Sequence, residues 1–110
     1  MEKTLLYDFY GELLTEHQRK VFEDAVFNDL SLSEVAEDAG ISRQGVHDLL
    51  KRVDKLLQEY ENKLHLVEKF RSIREEVESI EALTKDFDET KDSKIIKEIR
   101  NKAQKIMTEI

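Results

Sequence analysis

The sequence predicts an all-α protein. It contains no proline and only three glycines, Gly11, Gly40 and Gly45, among its 110 residues. A β-rich chain of this length needs many turns marked by glycine and proline, so their scarcity favours helices. Apolar residues also recur at spacings of three and four along most of the chain, which is the period of one helix face.

Two short helices are expected before residue 28. The first is amphipathic, and its apolar positions are Leu5, Leu6, Phe9, Tyr10 and Leu13. Thr15 and Gln18 then have the spacing of a capping box, in which a hydroxyl and an amide satisfy free backbone N–H groups at a helix start. The helix that follows carries an apolar stripe that includes Val21, Phe22, Ala25 and Val26. Asn28-Asp29 predicts a break after it.

A third short helix and a long fourth helix are expected next. Ser31 and Glu34 form a second capping box, and Gly40 stands where a helix ends in the left-handed conformation that glycine adopts at little cost. Ser42 can cap the following helix, which shows no stop signal for some forty residues. Its apolar stripe runs from Val46 to Leu83, further than a small N-terminal unit can cover.

The end of the chain predicts a loop and one more helix. The polar segment from Asp86 to Asp92 is interpreted as the loop. The final helix has one apolar side, composed of Ile95, Ile96, Ile99, Ala103, Ile106, Met107 and Ile110. We therefore expect a helix-turn-helix domain at residues 1–60 and a C-terminal helical extension at residues 61–110.

Composition argues against several classes of protein. Cysteine is absent, which excludes disulfides, thiolate zinc sites and cysteine nucleophiles. The three histidines are scattered without ligand spacing, and neither a Ser/His/Asp constellation nor a phosphate-binding glycine loop is present. We expect no enzyme activity, no metal site and no cofactor. No apolar run approaches the roughly 18 residues of a membrane span, and residues 1–8 do not form a signal peptide, so the expected location is the cytoplasm.

Residues 32–51 fit the helix-turn-helix pattern. Ala36 provides the small residue where two helices cross, and Gly40 lies in the turn. The second helix of such a motif enters the major groove and contacts base edges with its N-terminal residues. Helical geometry turns a set of polar side chains outward, and the candidate DNA-binding residues are Ser42, Arg43, Gln44, His47, Lys51 and Arg52.

Each candidate side chain suits a different part of DNA. Arg43 could pair with guanine and Gln44 with adenine, while Lys51 and Arg52 suit phosphates. Gly45 would allow a close backbone approach. Asp48 argues the other way, because it repels phosphate unless it accepts a hydrogen bond from a cytosine amino group. The alternative is that this surface is an ordinary solvated helix face.

The charge balance is unusual for a DNA-binding domain. The whole chain has a net charge of −7. Residues 1–60 hold seven basic and thirteen acidic side chains, whereas residues 61–110 hold eleven and twelve. DNA-binding modules normally carry a basic excess, but here the acidic excess lies in the half that contains the motif.

Two groups of segments resemble known protein families. The segments Leu14–Val21, Ser31–Glu37 and Gly40–Val46 resemble the promoter-reading C-terminal domain of bacterial sigma factors. The opening segment Leu6–Tyr10, together with the run from Ser42 to Asp48 and the segment Tyr60–Leu64, is similar to the YlxM family of small helix-turn-helix proteins of Gram-positive bacteria. This resemblance covers residues 5–70 well and the rest loosely. It implies a DNA-binding-like protein with a role in the signal recognition particle pathway or its regulation.

Two hypotheses of different class remain. The first is a helix-turn-helix protein that binds DNA, with RNA as an alternative, and takes part in the signal recognition particle pathway. The second is a protein-interaction adaptor that binds the particle's GTPase or its RNA complex without specific DNA binding. Clustering of Glu37, Asp48 and Asp54 beside Arg43 would favour the adaptor.

The apolar stripe beyond residue 60 has three interpretations. It could pack against the final helix, pair with a second copy, or bind a partner helix. We expect intrachain packing combined with homodimerisation, because an apolar face left in water usually marks an interface. The candidate dimerisation residues are Leu64, Val67, Phe70, Ile73, Val77 and Ile80.

Overall fold

A computed structural model describes residues 2–110, which contain six α-helices and no strand. The helices are α1 Lys3–Tyr10, α2 Glu16–Val26, α3 Leu32–Ala39, α4 Arg43–Leu64, α5 Leu66–Thr90 and α6 Ser93–Glu109, with a 3₁₀ turn at Gly11–Leu13. The all-α class is confirmed. The chain forms two compact units, one ending at His65 and the other comprising Leu66–Ile110.

Both predicted capping boxes are present. The backbone N–H of Gln18 donates to the Thr15 hydroxyl over 3.1 Å, and the Gln18 amide oxygen accepts from the Thr15 backbone over 2.9 Å. Ser31 and Glu34 make the same reciprocal pair at 3.2 and 3.3 Å. These bonds satisfy N–H groups that the first turn of a helix leaves free, so the starts of α2 and α3 are fixed by local sequence.

The first unit has a fully buried core. Val21 of α2, Val35 and Ala36 of α3, and Val46 of α4 are all at most 6% exposed and form one cluster. Tyr7 stacks on Phe22 with ring centroids 4.6 Å apart, which packs α1 against α2. Leu13 is one exception among the predicted apolar positions. It is 55% exposed, because α1 ends at Tyr10 and the 3₁₀ turn rotates it outward.

The prediction of one unbroken helix from residue 43 to Leu83 is wrong. His65 has a left-handed φ of 56° and its backbone N–H donates to the Glu61 carbonyl, which ends α4 at Leu64. Leu66 begins α5 immediately afterwards. Histidine adopts this conformation more often than most non-glycine residues, but no glycine or proline marks the position.

The predicted loop at residues 86–92 is also mostly helical. α5 continues to Thr90, and only Lys91, with φ 55°, and Asp92 separate it from α6. The Asp92 carboxylate caps α6 by accepting from the Lys94 backbone over 3.0 Å. The polar residues therefore lie on an exposed helix surface, which composition alone does not distinguish from a loop.

The second unit is an antiparallel hairpin of α5 and α6. Glu76 accepts from Lys105 over 2.9 Å and lies 3.6 Å from the Lys102 ammonium. Ser72 donates to Glu109 over 3.3 Å. An apolar seam of half-buried side chains runs from this end of the hairpin toward the turn, and its members are Ile73, Ile80, Leu83, Phe87, Ile95, Ile99 and Ile106. Across residues 2–110, every helix is too short or too polar to cross a membrane.

Candidate nucleic-acid interface

The turn between α3 and α4 holds the two helices of the motif in fixed geometry. Gly40 has a left-handed φ of 69° and donates to the Glu37 carbonyl over 3.3 Å, while the Ile41 N–H donates to Ala36 over 3.1 Å. This bond pair is the Schellman motif. An added Cβ at Gly40 would meet no atom within 4 Å, so glycine is required here by backbone conformation alone.

The next residues start α4. The Ser42 side chain accepts from the Gly45 backbone N–H over 2.9 Å, which confirms the predicted N-cap. A Cβ at Gly45 would lie 3.2 Å from the Ser42 oxygen, a close approach for two such atoms. The glycine at position 45 therefore also makes room for the cap within the protein.

The N-terminal half of α4 presents the candidate residues to solvent. Val46 is fully buried against α2 and α3, and Val53, seven residues or two turns later on the same side, is fully buried as well. All six candidate side chains are exposed, at the N-cap or in the first three turns of α4, namely Ser42, Arg43, Gln44, His47, Lys51 and Arg52. The helix is thus held by its apolar side and offers its polar side, which is the arrangement a groove-binding helix needs.

One cation on this surface was not predicted from the sequence. Lys55 is exposed and lies one turn beyond Lys51 on the same side of α4. The spacing of four residues from Lys51 is the signal that could have identified it. Lys51, Arg52 and Lys55 form a group of three cations that we call the basic turn.

Acidic residues are distributed unevenly around the basic turn. Asp48 lies one helical turn before it and accepts from the Gln44 amide over 3.0 Å, so the amide proposed for adenine already has an internal partner. Asp54, by contrast, pairs with Lys3 of α1 over 3.1 Å, which directs it toward α1. Only one of the three acids that would favour an adaptor is therefore bonded to a candidate residue.

Two further cations, Arg19 and Lys20 on α2, have partners within the unit. Lys20 pairs with the buried carboxylate of Asp24 over 3.1 Å, and hydrogen bonds from Asn28 and Lys20 hold the pKa of Asp24 below its ordinary value. Burial and the hydrogen bond that Tyr7 donates to Glu23 raise the pKa of Tyr7, while the nearby Arg19 opposes that shift. The Lys20–Asp24 pair lies within α2, and the hydrogen bond between Tyr7 and Glu23 connects α2 to α1.

The structure separates the predicted dimerisation residues into groups. Val67 is fully buried in the single chain, so it has no surface to offer a partner. Ile73 and Ile80 are half-buried in the hairpin seam. Leu64 and Val77 keep 52% and 50% of their surface exposed, and Phe70 keeps 40%.

Comparison with known proteins gives a consistent result. Residues 1–100 match the model of a protein family described as "Putative helix-turn-helix protein, YlxM / p13 like". A UPF0122 protein of Caldanaerobacter subterraneus is 53% identical over 77 residues, which cover 70% of this chain and 66% of that protein, or just under two thirds of its length. A UPF0122 protein of Clostridium kluyveri is 41% identical over 98 residues, covering 89% of this chain and 88% of that one. One from Acetivibrio thermocellus is 39% identical over 110 residues, with 96% and 94% covered.

Proposed function

The chain belongs to the YlxM / p13-like family of helix-turn-helix proteins, and we propose that it binds duplex DNA with the N-terminal half of α4. The observation that carries the proposal is the exposed surface of Arg43, His47 and the basic turn on a helix whose other side is locked into the core. Binding to the bacterial chromosome would place the protein in the cytoplasm.

Different residues are assigned different roles in this interface. Arg43 is at the start of α4, where side chains of a recognition helix reach base edges, and we assign it to guanine. The basic turn is assigned to phosphates, which accept contacts from Lys and Arg regardless of sequence. The Ser42 hydroxyl already accepts from Gly45, and its proton remains able to donate to a phosphate oxygen.

Asp48 sets the expected strength of binding. Its carboxylate lies one helical turn from Lys51 and Arg52 on α4 and repels phosphate, and the first sixty residues are acidic overall. We therefore propose a modest, strongly salt-dependent affinity. Replacing the carboxylate by an amide in Asp48→Asn keeps a hydrogen-bond acceptor for Gln44 and removes the charge, so this variant should bind DNA more tightly than the wild type.

Single substitutions test these assignments. Duplexes selected from a random pool with the wild type would provide a specific site. On that site Arg43→Ala should cost roughly 1–3 kcal/mol, while Lys51→Ala should weaken all duplexes alike. Lys63→Ala is the matched control, because Lys63 is exposed on the same helix about 18 Å beyond Lys51. Equal losses for Lys51→Ala and Lys63→Ala would contradict the proposed interface.

A second candidate function is favoured by the hydrogen bond between Gln44 and Asp48. In that hypothesis the family fold serves as an adaptor, and the polar face of α4 binds the signal recognition particle GTPase or its RNA complex. Asp48 would then be part of the contact, so Asp48→Asn should weaken partner binding. A pull-down from native lysate, without nuclease, with a DNA-specific nuclease and with a ribonuclease, distinguishes the two hypotheses, because only a DNA-mediated complex is lost when DNA alone is digested.

We also propose that the protein acts as a dimer. Two recognition helices can address half-sites one helical turn apart, roughly 34 Å, which would raise the affinity of a weakly basic module. The expected link to the signal recognition particle pathway rests on the family resemblance and predicts that the particle's RNA or GTPase is retained in the same pull-down.

A further inference from the structure

The hairpin of α5 and α6 leaves a group of large apolar side chains in water. Val77 is 50% exposed, Ile96 is 39% exposed and Met107 is 73% exposed. No side chain of α6 is fully buried, and Val67 is the one fully buried residue of α5. Two helices alone cannot enclose a core, so a further apolar surface is needed to cover these residues.

These exposed residues lie on one side of the hairpin. On α6, Ile99 and Ile106 face the seam, and Ile96, Ala103 and Met107 are rotated from them by up to a quarter turn (100° per residue). On α5, Glu76 faces α6. Val77 is the next residue, so its side chain projects about 100° further around α5, in the same rotational direction along the chain as Ile96, Ala103 and Met107 on α6. Because the helices are antiparallel, as the Glu76–Lys105 pair shows, both rotations lead to the same side. We call Val77, Ile96, Ala103 and Met107 the open face.

The other side of the hairpin is polar. Its exposed residues are Glu75, Ala82 and Asp86 on α5 and Lys94, Glu98 and Asn101 on α6. The hairpin is therefore amphipathic as a unit, with one apolar and one charged side. This division is typical of half of a helical bundle.

We propose that the open face is covered by the same face of a second copy, so that two hairpins form a four-helix bundle in which α5 of each chain packs against α6 of the other. One pair of charges beside the open face favours this pairing. The exposed residues of the α5 edge are of both signs, Glu81 with Arg74 and Lys85, and on the α6 edge lie Lys97 and Arg100. A two-fold axis parallel to the helices brings Glu81 of one chain to Arg100 of the other.

The antiparallel register makes the pairing specific. Glu81 is five residues beyond Glu76 along α5, and Arg100 is five residues before Lys105 along α6. Since Glu76 pairs with Lys105 over 2.9 Å, Glu81 and Arg100 lie at the same level. The alternative two-fold, which places α5 on α5 and α6 on α6, would separate Glu81 from Arg100 of the other chain. This surface does not involve α4, so the dimer and DNA binding can be tested independently of each other.

A pair of alanine substitutions tests the open face. Ala103 and Ala82 are both exposed, but Ala103 lies on the open face and Ala82 on the charged side. In sedimentation velocity of the full chain over a concentration series, the wild type should reach twice the 13.0 kDa chain mass. Ala103→Glu should raise the dimer dissociation constant by about 100-fold or more, since two unpaired carboxylates become buried. Ala82→Glu should leave the constant unchanged.

A charge exchange tests the pairing of α5 with α6. Glu81→Arg and Arg100→Glu should each weaken the dimer by about tenfold, and the double variant should recover the wild-type constant. These positions are exposed, so the helical content measured by circular dichroism should not change. Additive losses in the double variant would overturn the proposed pairing.

Two results would overturn the proposal as a whole. One is a wild type that stays at the mass of a single chain at high micromolar concentration. The other is equal dissociation constants for Ala103→Glu and Ala82→Glu in proteins of unchanged helical content. Loss of DNA binding in Arg43→Ala with an intact dimer would bear only on the DNA interface.

Discussion

The two units of this protein stabilise their helices in different ways. In the first, side chains from four helices enclose a core in which Phe22, Val46 and Leu57 are completely buried. In the hairpin, the seam residues are only half-buried and the salt bridges of Glu76 lie at its border. The first unit therefore contains its own hydrophobic core, whereas most apolar side chains of the hairpin remain partly exposed to solvent.

The largest expected effect that separates the units is the cost of truncating a core side chain. Phe22→Ala should destabilise the first unit by about 3–5 kcal/mol, because a full aromatic ring is lost from a closed core. Ile106→Ala, in the half-buried seam, should cost about 1–2 kcal/mol. Urea denaturation followed by circular dichroism measures both free energies of unfolding. Equal costs would show that the hairpin is as tightly packed as the first unit.

A smaller effect is expected at the turn of the motif. Gly40→Ala should cost about 1–2 kcal/mol, because φ is 69° there and an L side chain strains the backbone even though the space is open. Gly40→Asn should recover part of that loss, since asparagine tolerates this conformation. The melting temperatures of the three proteins provide the comparison. A neutral Gly40→Ala would mean that the left-handed turn does not limit stability.

The smallest effect concerns pH and the hairpin. A hydrogen bond from Lys105 lowers the pKa of Glu76 below its ordinary value of 4.5. A lowered folded-state pKa means that this contribution is complete above pH 4.5 and is lost as the pH falls through the folded-state value. Glu76→Gln should therefore lower the melting temperature at pH 7 and lose that effect at strongly acid pH. Glu75→Gln, on the charged side, is the control and should change little at either pH.

Much of the first unit was predictable because its signals are local. The side chains of Thr15, Ser31 and Ser42 each bond the backbone three residues later, and Gly40 marks a conformation that few other residues adopt. These features depend on neighbouring residues and can be read from sequence. The exposed face of α4 followed from the same periodicity that placed Val46 inside.

The breaks in the second half were not predictable in the same way. His65 and Lys91 adopt left-handed backbone conformations without a glycine, so no residue type in the sequence marks these helix ends. The polar stretch before Lys91 forms part of a helix because Phe87 packs in the seam with α6. The burial of Val67 and the open face likewise depend on how helices pack, which a single sequence period does not specify.

The central claim, that the polar face of α4 binds duplex DNA, is tested most directly by a salt titration of the wild-type protein. Fluorescence anisotropy of a labelled duplex should show binding at about 50 mM salt. The association constant should fall steeply with added salt, because each phosphate contact releases counterions. The slope of log K against log salt should become shallower by about one in Lys51→Ala and stay unchanged in Lys63→Ala. Absence of binding to any duplex at low salt would contradict the account and leave the adaptor function in its place.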